Sequence, residues 1–240
     1  MPKPESLLER IVKVSSVLAA AVPVAGGPTS VSLGYWLQDQ EKVRWKVYWD
    51  GVEERVQSLD MKKLDKTFLE SPEFILRLQE IYAEVTRTAD DGKLGYLRDF
   101  LLSSLWKEGA DIEWRNLFWD HVRRLSGAHL ATLEFVFKRQ RHLSYVQRFN
   151  LPQAGDDAPL NLDHFATAFT RFDRNLLQMI LADLTAAGLI GLWHQQSAKV
   201  TAWSLTDAGL ALMSFLDREW RGRDGQGREG AGKGKSGVES

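Results

Sequence analysis

Apolar residues recur at steps of three and four through most of the first 150 residues, which is the spacing of one face of an α-helix. The spacing predicts helices over 5–22, from Val31 toward Leu59 and over 60–69. Four further helices are expected to bury Phe74, Leu78, Ile81 and Val85, then Leu94, Leu97, Leu101 and Leu105, then Trp114, Phe118, Val122 and Leu125, and finally Leu130, Leu133 and Phe137. Residues 1–150 are therefore predicted to form a helical domain.

Local sequence supports several of these helix boundaries. Ser71, Pro72 and Glu73 are typical of a helix start, because serine caps free backbone N–H groups, proline suits the first helical position and glutamate interacts favourably with the helix dipole. Asp111 is placed to cap the helix that follows it. In the long helix after Val31, the apolar stripe consists of Trp45, Tyr48, Val52, Val56 and Leu59.

The pattern changes after residue 160. Two short helical runs are separated by a break at 170–173; the first carries Leu162, Phe165, Ala166 and Phe169, and the second carries Leu176, Leu177, Ile180, Leu181 and Leu184. Gly188 is predicted to end the second run, and strand-like runs follow at 189–193 and 200–205. Thr206 or Asp207 is placed to cap a closing helix that buries Leu210, Leu212, Met213, Phe215 and Leu216.

This order of helix, turn, helix, two-stranded ribbon and helix is that of a winged helix. The sequence "DLTAAGLIGLW…WSLTDAGLALMSFL" also resembles the winged-helix pattern found in many bacterial and archaeal proteins. The predicted fold class is mainly α, with an N-terminal helical domain followed by a C-terminal winged-helix domain that has a small two-stranded wing. Because winged helices include both DNA readers and protein-interaction modules, the fold alone does not select a function.

Composition separates the predicted domains. Residues 151–159 contain two prolines, one glycine and two aspartates, which is typical of a linker, and the winged-helix domain is assigned to 160–217. Residues 218–240 contain seven glycines and few apolar residues. This last segment is predicted to be a disordered tail, because it buries too little apolar surface to offset its ordering entropy.

Charge and cysteine content narrow the class of protein. The net charge is −1 and cysteine is absent, which excludes disulfides and thiolate zinc sites and suits a cytoplasmic protein. No apolar run reaches the roughly 18 residues that a membrane-spanning helix needs. The apolar segment 11–25 is interpreted as part of a buried helix, with membrane contact as the alternative.

The sequence contains no recognisable catalytic constellation. Its five histidines lack the i, i+3 or i, i+4 pairing of helical metal sites, and there is no Gly-x-Ser-x-Gly nucleophile elbow. We therefore expect a protein that is not an enzyme and that uses no cofactor and no metal.

Two groups of side chains are candidates for nucleic-acid binding. The first group has the chemistry that reads bases in the major groove or touches phosphate from the wing, and consists of Arg171, Arg174, Asn175, Gln178 and Lys199. The second is a basic cluster of Lys138, Arg139 and Arg141. Such a cluster neutralises phosphates, but it also suits the C-terminal end of a helix, where it complements the dipole.

The run "FWDHVRRLSGAHLATLEFVFKRQ", with "FDRNLLQMILADLTAAGLIG…SLTDAGLALMSFL" after the predicted linker, resembles a group of bacterial helical proteins with a C-terminal winged-helix-like domain. The group includes the abortive-infection alpha family of phage-resistance proteins. The resemblance covers about residues 70–217 and rests mostly on core-packing residues. It implies an accessory role in phage or mobile-element defence, and it carries over no catalytic residue.

Two functions stay open at this point. The first is a non-enzymatic interaction protein that binds a protein partner or its own copy. The net charge of −4 over residues 155–217 favours it, because an acidic domain is repelled by a phosphate backbone. The alternative is a DNA-binding transcriptional regulator that reads DNA with the winged helix.

Overall fold

The computed structural model describes residues 31–57, 64–106, 111–142, 160–195 and 200–217. The chain divides into two compact units, residues 1–130 and 131–240. The described residues are mainly helical, with a small three-stranded antiparallel sheet near the C-terminus. The predictions that fall outside the described residues are those for the helix over 5–22, the segment 11–25, Leu59, residues 60–63, the linker over 151–159, Lys199 and the tail over 218–240.

In its described part, the first unit contains α1 (Val31–Gln57), α2 (Lys66–Leu69), α3 (Pro72–Arg87), α4 (Asp91–Ser104) and α5 (Ile112–Arg124), and the division between the units falls within α6 (Gly127–Gln140). Helix α1 packs against α3 and α4, and α4 packs against α5. Two predicted helix starts are confirmed. The Ser71 side chain accepts a hydrogen bond from Phe74 N, and the Asp111 side chain accepts one from Trp114 N.

The buried faces of these helices are largely those that the apolar spacing predicts. The confirmed positions are Trp45, Tyr48, Val52, Val56, Phe74, Leu78, Ile81, Val85, Leu94, Leu97, Leu101, Leu105, Phe118, Val122, Leu125, Leu130, Leu133 and Phe137. The Trp45 and Tyr48 rings stack with their centroids 5.4 Å apart. The Tyr48 hydroxyl donates to Leu97 O at 3.2 Å, and burial raises the pKa of Tyr48 far above its usual value.

Two predictions for the first unit are wrong in detail. Within its described residues, 64–69, the helix predicted over 60–69 begins only at Lys66, because the Asp65 side chain caps it by accepting a hydrogen bond from Phe68 N at 3.0 Å. Leu64 instead pairs with Trp106 in an isolated antiparallel bridge. Trp114 was expected to face inward, but it lies at the edge of the buried face of α5 and is 45% exposed.

His121 on α5 is expected to make stability depend on pH. Its partial burial, with a further effect of Arg124, lowers the pKa of His121 below its usual 6.5. The unfolded chain therefore takes up the proton at His121 more readily than the folded chain. The stability that neutral His121 contributes is fully present above pH 6.5 and is lost as the pH falls toward the folded pKa.

His121→Gln should therefore lose less stability than the native chain when the pH is lowered from about 7.5 to about 5.5. Urea unfolding of both chains at the two pH values measures the difference. If the free energy of unfolding falls by the same amount in both chains, His121 is not the cause of the pH dependence.

In its described part, the second unit contains, beyond the C-terminal part of α6, the elements β1 (Leu160–Asn161), α7 (Leu162–Ala168), α8 (Arg174–Ala186), β2 (Ile190–Gln195), β3 (Val200–Leu205) and α9 (Asp207–Leu216). The strand order is β1-β3-β2, and both pairings are antiparallel. The predicted ribbon of β2 and β3 is confirmed. Strand β1 was not predicted, because two residues are too few for an alternating pattern.

Two capping predictions for this unit are confirmed. Gly188 has a φ of 72°, the left-handed conformation that glycine adopts without steric cost, and it follows the end of α8. Thr206 caps α9, and its side chain accepts a hydrogen bond from Gly209 N at 3.1 Å. Both turns are thus determined by local sequence.

The core of the second unit is built around Phe165, which is fully buried. Its ring meets Phe135 with the centroids 5.5 Å apart and Trp203 with the centroids 6.0 Å apart. Gln140, also buried, accepts hydrogen bonds from Leu205 N at 2.8 Å and from the Ser204 hydroxyl at 3.2 Å. The side-chain oxygen of Gln140 therefore accepts a hydrogen bond from the backbone N–H of Leu205, which lies beyond the residues of β3 that pair with β1.

Among the described residues, no helix combines the length and the apolar character that crossing a bilayer requires.

Candidate interaction surface

Helices α7 and α8 are positioned by their N-terminal caps. The Asn161 side chain accepts hydrogen bonds from Asp163 N and His164 N, and His164 Nδ1 accepts one from Asn161 N, which completes a capping box. The Asp173 side chain caps α8 by accepting a hydrogen bond from Leu176 N at 2.8 Å. The start of α8 therefore already holds a carboxylate at its positive end.

Both arginines of the predicted base-reading group make contacts within the unit. Arg174 forms an ion pair with Asp163, and the two side chains remain 62% and 72% exposed. The Arg171 guanidinium lies over the Phe172 ring, 4.7 Å from its centroid. Asn175 and Gln178 are exposed on α8. The four described members of the group are thus at the surface, but the charge of Arg174 is partly balanced by Asp163.

The surface of α8 carries no charge between Arg174 and Asp183, and it exposes two large apolar side chains beside two amides. The helix buries Leu177, Ile180, Leu181 and Leu184. Outside that face, Leu176 is 40% exposed and Met179 is 64% exposed. Leu176 belongs to the predicted apolar run but lies outside the buried face, because one step along a helix turns it about 100° away from Leu177. Met179 was not predicted as a functional residue, although an apolar side chain outside the apolar stripe of a helix is a sign of an exposed contact.

One flank of α8 borders a groove with a volume of about 800 Å³. The groove lies between α8, the start of α7 and the β2–β3 ribbon, and it is lined by Asn161, Leu162, Asp163, Arg174, Gln178, Ala182, Thr185, Ala186, Leu192, Thr201 and Trp203. Arg174 and Gln178 are the predicted residues that the structure brings together here. Leu192, which is 43% exposed, was not predicted because its exposure depends on how the ribbon packs.

The basic cluster at the end of α6 also makes contacts within the second unit. Lys138 Nζ lies 2.5 Å from Glu134 Oε1, and the Arg139 guanidinium lies 4.9 Å from the Phe135 ring centroid. Arg141 forms an ion pair with Asp217 at 2.8 Å. Because Lys138 and Arg139 stand in the last turn of α6, they also complement the helix dipole. Each member of the cluster therefore has a partner within the unit.

Metal-binding groups and serine–histidine pairs are the other chemical features that the described part of the chain could hold. No group of three or more His, Cys, Asp or Glu side chains is placed there to hold a metal ion. Ser126 Oγ lies 2.7 Å from His129 Nδ1, but Ser126 also accepts a hydrogen bond from His129 N. The pair therefore stabilises the start of α6 as a capping interaction.

Comparisons of the chain with models of known families, with curated proteins and with solved structures give no significant match. Support for a function therefore comes from the surface of the second unit and from its charges.

Proposed function

We propose that the protein is a non-enzymatic interaction protein whose C-terminal unit is a winged-helix module that binds a protein partner through α8. The order of elements supports this fold: the last part of α6 is followed by β1, α7, α8, β2 and β3. The strand order β1-β3-β2 is also that of a winged-helix sheet. In this assignment α8 takes the place of the recognition helix.

The observation that carries the proposal is the apolar exposed surface of α8. From Asn175 to Ala182 the helix has no charged residue, and it exposes Leu176 and Met179 to solvent. Burying such side chains against a protein is favourable, whereas they gain little from a phosphate backbone. Methionine is also common on protein-binding surfaces, because its flexible side chain adapts to its partner.

The second candidate is a DNA-binding regulator, and the exposure of Asn175 and Gln178 favours it, since amide side chains recognise adenine. Arg174 would first have to leave Asp163 to reach a base, which lowers the gain in binding energy. An accessory role of the protein in phage or mobile-element defence is a further part of the proposal, and it rests on the sequence resemblance alone.

Replacing Met179 with glutamate is expected to abolish partner binding, because a charge would be buried in the contact. The full chain is used to capture proteins from an extract of its source cells, with and without nuclease, and the captured proteins are identified by mass spectrometry. The matched control is Leu76→Glu, which introduces the same charge at a position 60% exposed in the first unit. A protein retained after nuclease and by Leu76→Glu, but lost with Met179→Glu, supports the proposal.

Two results would contradict the proposal. If all captured proteins disappear after nuclease treatment, the contact is with nucleic acid. If sequence-selective, nanomolar duplex binding by the full chain is lost with Gln178→Ala and unchanged with Met179→Glu, the regulator is the better account.

A further inference from the structure

Helix α1 carries a second set of apolar residues on the side that faces away from its core. Val43 and Val47 are 56% and 57% exposed. Val47 is two residues from the buried Trp45, and two steps along a helix turn a side chain by about 200°. Because the core side of α1 packs against α3 and α4, those helices leave Val43 and Val47 uncovered.

The spacing of these two valines extends toward the start of α1. Leu33, Trp36 and Gln40 precede them at alternating steps of three and four, and Gln40 is also exposed. The five positions fall within an arc of about 80° on the helix. Steps of three and four are the spacing by which one helix packs lengthwise along another. The outer face of α1, defined by these five positions, therefore has the pattern of a helix–helix contact with one polar member.

The segment 5–22, which lies outside the described residues, has matching spacing in its sequence. Steps of four and three separate its apolar positions Leu7, Ile11, Val14, Leu18 and Ala21. The eight residues 23–30 between this segment and α1 contain two prolines and two glycines, a composition typical of a turn. Connections of this length join neighbouring antiparallel helices.

The two sets of positions are mirror images about Gly27, which is near the middle of that connection. Val43 and Ile11 are both sixteen residues from Gly27. Trp36 and Leu18 are both nine residues from it. The other equidistant pairs are Leu33 with Ala21, Gln40 with Val14, and Val47 with Leu7. Since all α-helices rise equally per residue, positions equally distant from the middle of a connection lie opposite each other in antiparallel helices.

We propose that the apolar face of segment 5–22 packs antiparallel along the outer face of α1, in the register centred on Gly27. The occupant of this surface is then the protein's own N-terminal segment, which belongs to the same unit as α1. The proposal gives the apolar residues of that segment a place within the fold instead of at a membrane. It is independent of the partner proposed for α8.

The short connection favours this occupant over a second copy of the chain. Eight residues hold the two apolar faces together at a roughly millimolar effective concentration, so a contact of five side chains on each helix is sufficient. A stable interface between two separate molecules buries about 1,200 Å² or more. The mirror register is also a property of one chain folding back on itself, since it depends on the distance of each position from Gly27.

Engineered cysteine pairs test the register in the full chain, which has no native cysteine to compete. Ile11→Cys combined with Val43→Cys should form a disulfide within one molecule, because the two positions face each other. The matched control combines Glu9→Cys with Val43→Cys, since Glu9 is two residues from Ile11 and is turned about 200° away from it on a helix. Mild oxidation followed by electrophoresis without reductant should show the first pair closing about tenfold faster than the control.

Thiol reactivity measures separately whether the outer face of α1 is covered. Val43→Cys alone should react with a maleimide about fivefold more slowly than Leu76→Cys, which replaces a residue of similar exposure, 60%, on α3. Adding Ile11→Asp should restore the rate, because a carboxylate is costly to bury in an apolar contact. Adding Ser16→Asp, on the opposite face of the predicted helix, should leave the rate low. Met179→Glu should change neither measurement.

Four results would overturn the proposal. Equal rates of disulfide formation in the two pairs would show that segment 5–22 has no fixed position on α1. Equal reactivity of Val43→Cys and Leu76→Cys would show that the outer face is uncovered. A disulfide between two molecules of the Ile11→Cys, Val43→Cys chain would make a second copy the occupant. Flotation of the full chain with phosphatidylglycerol vesicles, lost with Ile11→Asp and kept with Ser16→Asp, would assign the segment to a membrane.

Discussion

Replacing Gly209 with alanine is expected to destabilise the second unit by about 3 kcal/mol or more, because the new methyl group has no space. A Cβ at this position would lie 2.1 Å from the backbone oxygen of Leu189 and 2.9 Å from Leu205 Cδ1. The Leu189 oxygen is not free to move, since it accepts hydrogen bonds from Thr206 N at 3.2 Å and from the Thr206 hydroxyl at 2.9 Å. Relieving the clash would shift the first turn of α9 away from β2 and weaken these bonds.

The chain offers a matched control for this prediction in Gly95, a glycine in the interior of α4. A Cβ at Gly95 would meet nothing within 4 Å, so Gly95→Ala should stabilise the protein by up to about 1 kcal/mol through helix propensity. Urea unfolding followed by circular dichroism gives both values. Two substitutions with the same sign would show that the close approach of Gly209 to Leu189 does not determine the cost.

The helices of the first unit were predictable because each of them buries one face against its neighbours. That arrangement imposes the spacing that is visible at Phe74, Leu78, Ile81 and Val85, all of which are buried. The prediction is wrong where a local hydrogen bond outweighs the apolar spacing. Asp65 is the example, because its side chain accepts a hydrogen bond from Phe68 N and the short helix begins only after it.

The edges of a buried face are harder to predict than its centre. Leu176 and Trp114 both stand within a helical apolar pattern, yet they are 40% and 45% exposed. Spacing indicates which residues share a face, but the width of that face depends on how closely the neighbouring elements approach. Leu176 and Met179, which carry the proposed surface on α8, lie at or beyond such an edge.

At the candidate site, the sequence predicted only the residues whose side-chain chemistry suggests a nucleic-acid ligand. Arg174 and Gln178 were selected in this way, and both line the groove beside α8. The ion pair between Arg174 and Asp163 joins residues eleven positions apart on two helices, so it depends on the tertiary arrangement. Leu192 and Trp203 enter the groove because the β2–β3 ribbon places them opposite each other, which no local pattern indicates.

Arg77 is a buried cation that holds α3 against its neighbours. Arg77 is 7% exposed. Its guanidinium lies 5.3 Å from the Trp119 ring centroid and 5.9 Å from the Phe100 ring centroid. It pairs with Glu80 at 2.7 Å and donates a hydrogen bond to Asn116 Oδ1. Burial lowers the pKa of Arg77, and the acceptors on Glu80 and Asn116 offset the cost of burying its charge.

Arg77→Ala should destabilise the first unit by about 3–5 kcal/mol, because it removes the packing against two aromatic rings and the bonds of a buried cation. Arg87→Ala is the matched control, since Arg87 is exposed at the end of the same helix and should change stability by less than about 0.5 kcal/mol. Arg77→Met separates the two contributions, because methionine restores most of the apolar contact and none of the hydrogen bonds. If Arg77→Met is as stable as the native chain, packing accounts for the effect. If Arg77→Ala and Arg87→Ala cost the same when unfolding is followed in urea, the buried cation does not stabilise this unit.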